Sequence, residues 1–246
     1  MNSRFAAPEV TIPLNNAMAT NLVILLTLMA FAANAQSVPG KQPLPKFMGR
    51  EVTVTASETD ETGTESKGPA SVCIEGPPRR QCYTAPGDFG RFPEVTALQL
   101  GKGVPGLLFS AGSAGVSGWE IHFALLHLSP ETGLQNLFMP RVSVPNQSEH
   151  AILNLPELSD APIFVTAGYV WGPDEGHYGE HRYIISSYAK RSSSLSEGLY
   201  YYLEDQYMTT RGYDLEKSHI LDSEKPEILA RLRRVKAEYQ RQQRKP

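Results

Sequence analysis

The densest concentration of reactive side chains lies in WGPDEGHYGEHRY, residues 171–183, where Asp174, Glu175, His177, Glu180 and His181 fall within eight positions. Carboxylates and neutral imidazoles are the oxygen and nitrogen donors that divalent cations take. The same groups carry protons in general acid–base chemistry. If the loop curls, Asp174, His177 and His181 form a ligand set, with Glu175 as the general base of a metal-dependent hydrolase. The spacing argues against this. Residues four apart share a helix face, but Gly172, Pro173, Gly176 and Gly179 oppose a helix here. On a strand the two histidines stand ~13 Å apart, too far to share one ion. The string His-Tyr-Gly-Glu-His also puts its acid at the wrong position for the HExxH zinc geometry. The stretch therefore reads first as a polar loop between two strands, clamped by its own side chains. A divalent-metal site at Asp174, His177 and His181 is the alternative, and no other cofactor is expected.

Other candidates are weaker. In SAGSAGVSGWE, neither Ser113 nor Ser117 has glycines at both −2 and +2, as a nucleophile elbow requires. His122 and His127 are five apart on one strand and so face opposite ways, which excludes a shared site and predicts core or edge histidines with local partners. Nine of the 11 tyrosines fall between Tyr169 and Tyr213. An aromatic ring with a polar tip suits glycan or peptide recognition, which makes Tyr178, Tyr200 and Tyr202 candidate binding residues. The plainer reading is that Tyr is a good strand former.

The elements that must position these residues are mostly strands. VTALQL, GLLFSAG, WEIHFALLHL, NLFMPRVSV, AILNL, IFVTAGYVW, RYIISSYA and LYYYLEDQYMTT are separated by Gly, Pro, Asn and Ser clusters. Their short spacing predicts a mainly β fold, an antiparallel sandwich or barrel-like domain of about nine strands. Trp119–Leu128 is apolar on both faces and reads as a central strand. One helix closes the chain at 223–246, capped by Asp222 or Ser223. Glu224 and Glu227 sit near its start, and Ile228, Leu229, Leu232, Val235 and Tyr239 form one apolar stripe. This basic helix is expected to pack on the domain. The alternatives are an arm for an anionic surface, such as lipid or a cell-wall polymer, and a module that docks on a larger assembly.

Ahead of the β-rich domain, 72–222, residues 36–71 read as an extended and acidic linker region. Before it, Leu22–Ala33 is a 12-residue apolar run followed by Ala33-Asn34-Ala35. That is an export signal, residues 1–35, cleaved near Ala35, with Met18 a second possible start. The run is too short for a transmembrane span, which needs ~20 residues. Cys73 and Cys82 flank a Pro77-Pro78 turn without any CxxC spacing, which predicts a disulfide in an oxidising compartment. The net charge of −3 gives no reason to expect nucleic acid as a partner. These features together predict a secreted or periplasmic, non-catalytic β-domain. Its partner would be an envelope or extracellular glycan, peptide or component, met through the Tyr-rich strands and the 172–181 loop.

Overall fold

A computed structural model describes residues 46–56, 68–77, 79–113, 120–129, 133–145, 147–172, 179–191, 199–214 and 216–244. The expected export signal, 1–35, lies outside these residues. The fold is mainly β, with thirteen strands in three sheets and one C-terminal helix among the described residues. The strands outnumber the nine expected because several, of two to four residues, are too short to show a period-2 pattern.

The first sheet contains β1 (Val52–Thr55), β2 (Ser71–Ile74) and β3 (Gln81–Thr84), all antiparallel. β1 comes from the stretch expected as linker. Val52 and, just before it, Phe47 are buried, so packed structure begins well ahead of Val72. In the β2–β3 register Cys73 stands directly opposite Cys82, and the two are disulfide-bonded with their Cα atoms 4.1 Å apart. That is just under the usual range of about 4.4–6.8 Å.

The second sheet runs β4 (Arg91–Gln99), β5 (Pro105–Gly112), β6 (Glu120–Ser129). β6 is then flanked at one end by β7 (Gly133–Asn136) and at the other by β9 (Val142–Pro145). The third has the order β10 (Glu149–Leu153), β11 (Ile163–Tyr169), β12 (Tyr183–Lys190), β13 (Tyr201–Met208), β8 (Phe138–Met139), with the last pair parallel.

Strand alternation sorts the apolar residues into three cores. Leu107, Phe109 and Ala111 of β5 and Ala124 and Leu126 of β6 pack with Val72 and Ile74 of the first sheet. Leu108, Phe123 and Leu125, on the opposite faces of the same strands, pack with Phe138, Phe164, Tyr188 and Tyr201. Ile163, Val165, Ala167 and Tyr169 of β11 then face the helix, α1 (Ile220–Gln243), through Ile220, Ile228 and Leu232. The described residues are thus layered sheet, sheet, sheet, helix. Strands covered on both faces need near-continuous apolar runs, and β6 and β11 have them, with His122 and Thr166 as buried polar exceptions.

The helix begins before its expected cap. Asp222 and Ser223 lie inside the first turn, and the side chain of the residue ahead of it, His219, makes no capping bond. Instead the free N–H groups of Ile220 and Leu221 donate to the two carboxylate oxygens of Glu149, at 3.0 and 2.9 Å. A carboxylate there satisfies orphan donors and complements the positive end of the helix dipole. Further along, Arg231 forms a two-pronged pair with Asp205 at 2.6 and 3.0 Å, and Lys236 donates to the carbonyls of Glu157 and Leu158. Two of the helix's basic residues therefore fasten it, one to β13 and one to the connection between β10 and β11. No helix among the described residues is long and apolar enough to cross a membrane.

Candidate functional site

Ahead of β12, the backbone of His181 pairs with Tyr213, with N–O distances of 3.0 and 2.8 Å in the two directions. This bridge sets Gly179 and Glu180 against Arg211, Gly212, Tyr213 and Asp214. Lys217, Ser218 and Ser223, from the turn into α1 and its first turn, complete the walls of a cleft of about 300 Å³. The walls approach closely at Gly212, where a Cβ would meet the Glu180 Cβ at 2.9 Å. Gly179 has φ +118, a backbone conformation that side-chain-bearing residues rarely adopt.

Charges in the cleft are mutually restrained. Lys217 Nζ donates to Asp214 at 2.5 Å, and the Glu216 N–H donates to the other Asp214 oxygen. The bond from Lys217 holds the Asp214 carboxyl below its ordinary range. The Arg211 guanidinium lies 4.7 Å from the centre of the Tyr213 ring. Behind the wall, Glu224 accepts from two phenols, Tyr213 to one oxygen and Tyr207 to the other, at 2.9 Å for Tyr207. Burial, then the neighbouring Glu224 carboxylate, pushes both phenols up, so they remain donors. Burial likewise pushes Tyr183 up to about 12.

His181 is buried, and its Nε2 meets the Tyr169 hydroxyl at 3.0 Å. Tyr169 in turn receives Trp171 edge-on at 4.9 Å between ring centres, and Trp171 is 48% exposed. Of the other residues expected in a metal or binding site, Asp174, Glu175, His177 and Tyr178 lie outside the described residues. Among the described residues no group of three His, Cys, Asp or Glu side chains is placed to hold a metal ion.

Tyr200 and Tyr202 belong to a different place. Tyr200 accepts from Gln135, Tyr202 lies under Arg191, and Tyr201 between them is buried in the inter-sheet core. The seven residues of β13 from Tyr202 to Met208 span roughly 20 Å, so the tyrosine run and residues 179–181 lie toward opposite ends of that strand. Near Tyr202 a second cavity, of about 290 Å³, opens between α1 and the ends of β12 and β13. Leu232, Val235 and Tyr239 line one side, with the pairs Lys190–Asp160 and Arg191–Glu204 at its rim.

The two strand histidines have local partners. His127 Nδ1 meets the Pro105 carbonyl at 3.1 Å, and His122 Nε2 meets the Tyr83 hydroxyl at 2.9 Å. His122 is fully buried between the first two sheets. Burial first, and then the nearby Arg141 charge, lowers its pKa to about 4.

The sequence pointed to the loop 172–181, of which Gly179, Glu180 and His181 border this cleft, but not to Arg211, Asp214, Lys217 and Ser218. The one available signal was the charged, Gly-broken string RGYDLEKSH, which has no strand or helix period. No protein-family model, curated protein or solved structure matches this chain, so its own residues and geometry must carry its functional assignment.

Proposed function

We propose that this chain is an exported, non-catalytic β-domain that binds a glycan or peptide of the cell envelope or extracellular space. The recognition site is the cleft between Glu180, Arg211, Asp214 and Lys217. Export is the reading that the A-x-A signal pattern and the Cys73–Cys82 bond favour together. One observation carries the binding reading: the groups best suited to proton transfer near the cleft already serve as structural partners. Both oxygens of Glu224 accept from tyrosines, and His181 Nε2 is engaged by Tyr169. A general base must reach the proton it abstracts, and these two are committed behind the wall. The cleft itself offers a mixture of donors and acceptors in Arg211, Lys217, Ser218, Glu180 and Asp214. That mixture suits a ligand rich in hydroxyls or amides. The exposed Trp171 nearby offers a flat ring of the kind that recognises sugars and peptide side chains.

The chain has two tryptophans, so a Trp119→Phe variant leaves Trp171 as its sole indole reporter. Titration with soluble peptidoglycan fragments and with mixed-sequence peptides is expected to give a saturable change in Trp171 emission. Arg211→Ala and Asp214→Ala should each weaken that binding by about tenfold, the size of one charge-assisted hydrogen bond. Absence of any such binding, together with tight uptake of one zinc that is lost in His177→Ala and His181→Ala, would replace this reading with the metal-dependent hydrolase.

A further inference from the structure

We propose that the outer face of α1 is an electrostatic contact for an anionic phospholipid surface. It adsorbs to headgroup phosphates without inserting.

Residues 223–246 hold eight Lys and Arg against three Glu, which leaves −8 for the remainder of the chain. The structure divides these charges unequally between the two sides of the helix. On the packed side, Arg231 is neutralised by Asp205, Lys236 is bonded to two carbonyls, and Glu224 is buried beneath two tyrosines. On the other side, Arg233, Arg234, Arg241 and Arg244 fall at i, i+1, i+8 and i+11. At 3.6 residues per turn, that places them within one sector of roughly 100°. Arg234 has Glu227 at 3.3 Å. Arg233, Arg241 and Arg244 meet no carboxylate among the described residues, and Arg241 bonds only a carbonyl of its own helix.

The setting of this face favours a broad, flat partner. Every residue from 237 to 244 is exposed, and while Tyr239, Gln240 and Gln243 turn toward the cavity beside β12, the arginine sector faces away from it. The four arginines are spread over about 16 Å of a straight helix, on a convex surface with no pocket to enclose a small anion. Besides arginine the sector carries Ser223, Pro226, Ala230 and Ala237, none of them a large apolar side chain to bury in an acyl layer. An extended polyanion that wrapped further would meet the −8 of the rest of the chain, whereas a plane of headgroups touches the helix face alone. Each Arg near an anionic leaflet contributes about a fivefold gain in partitioning, and the attraction fades within a Debye length.

The test is co-sedimentation of the purified full chain with vesicles of phosphatidylcholine alone and of equal parts phosphatidylcholine and phosphatidylglycerol. The expected result is capture by the anionic vesicles only, released by salt. Capture should weaken by roughly two orders of magnitude in Arg233→Gln/Arg241→Gln/Arg244→Gln. These positions are exposed, so an unchanged Tm will show that the variant is folded. A charge-reversed Arg233→Glu/Arg241→Glu/Arg244→Glu variant should lose capture altogether. Equal capture by both vesicle types, or capture of the glutamine variant equal to wild type, would overturn the proposal. So would binding of soluble polyphosphate with no vesicle association. Because the arginines lie outside the cleft, ligand binding reported by Trp171 should persist in these variants.

Discussion

His122 shows how one buried side chain sets a condition on the whole fold. Its folded pKa, about 4, lies below the ordinary value of 6.5. Protonation therefore favours the unfolded chain. The stability that neutral His122 contributes is fully present above pH 6.5 and is lost progressively as the pH falls toward 4. The shift corresponds to about 3 kcal/mol across that window. Urea unfolding at neutral pH and at pH near 4.5 should show this loss, and His122→Phe should flatten it. If wild type and variant lose stability equally on acidification, other groups control the acid limit. Phe123, the next residue, faces the opposite core and touches Phe164 at 5.2 Å between ring centres. Phe123→Ala should cost about 3–5 kcal/mol, measurable as a fall in the denaturant midpoint. Both residues were legible in the sequence, because their strand is apolar on both faces. Arg211 and Asp214 were not, because they meet Glu180 only through the His181–Tyr213 bridge, which has no sequence period.

At the scale of elements, the helix stripe was readable but its start was not. Local sequence offered Asp222 and Ser223 as caps, while the actual capping carboxylate belongs to Glu149, 71 residues earlier. Glu149→Ala should destabilise the protein by about 1–2 kcal/mol. Amide exchange should speed up first at Ile220–Ser223. Uniform exchange along α1 would show that the cap is dispensable. β1 was obscured for a related reason. EVTVTAS, Glu51–Ser57, alternates as a strand does, but the acidic stretch after it assigned it to the linker, and β1 joins the domain because β2 offers it a partner and a buried slot for Val52. Of the tyrosine run, Tyr201 and Tyr202 lie on the expected strand and Tyr200 just ahead of it. The run's distance from residues 179–181 depended on the direction of β13, which composition does not encode.

For the molecule as a whole, the disulfide acts on the first sheet, which covers one face of β5 and β6. Closing a loop of about ten residues should contribute roughly 2–3 kcal/mol. A Cys73→Ala/Cys82→Ala variant is therefore expected to melt several degrees lower. An unchanged Tm would mean that packing against Leu107 and Phe109 already holds the sheet. The layered arrangement also has a consequence in time. Synthesis delivers the chain from its N-terminus, so the outward face of β11, Ile163 to Tyr169, exists before its cover does. Until α1 has been made, some fifty residues later, that face is an open apolar surface on an otherwise assembled stack. Wherever the chain folds, this face is exposed to aggregation until the last layer docks.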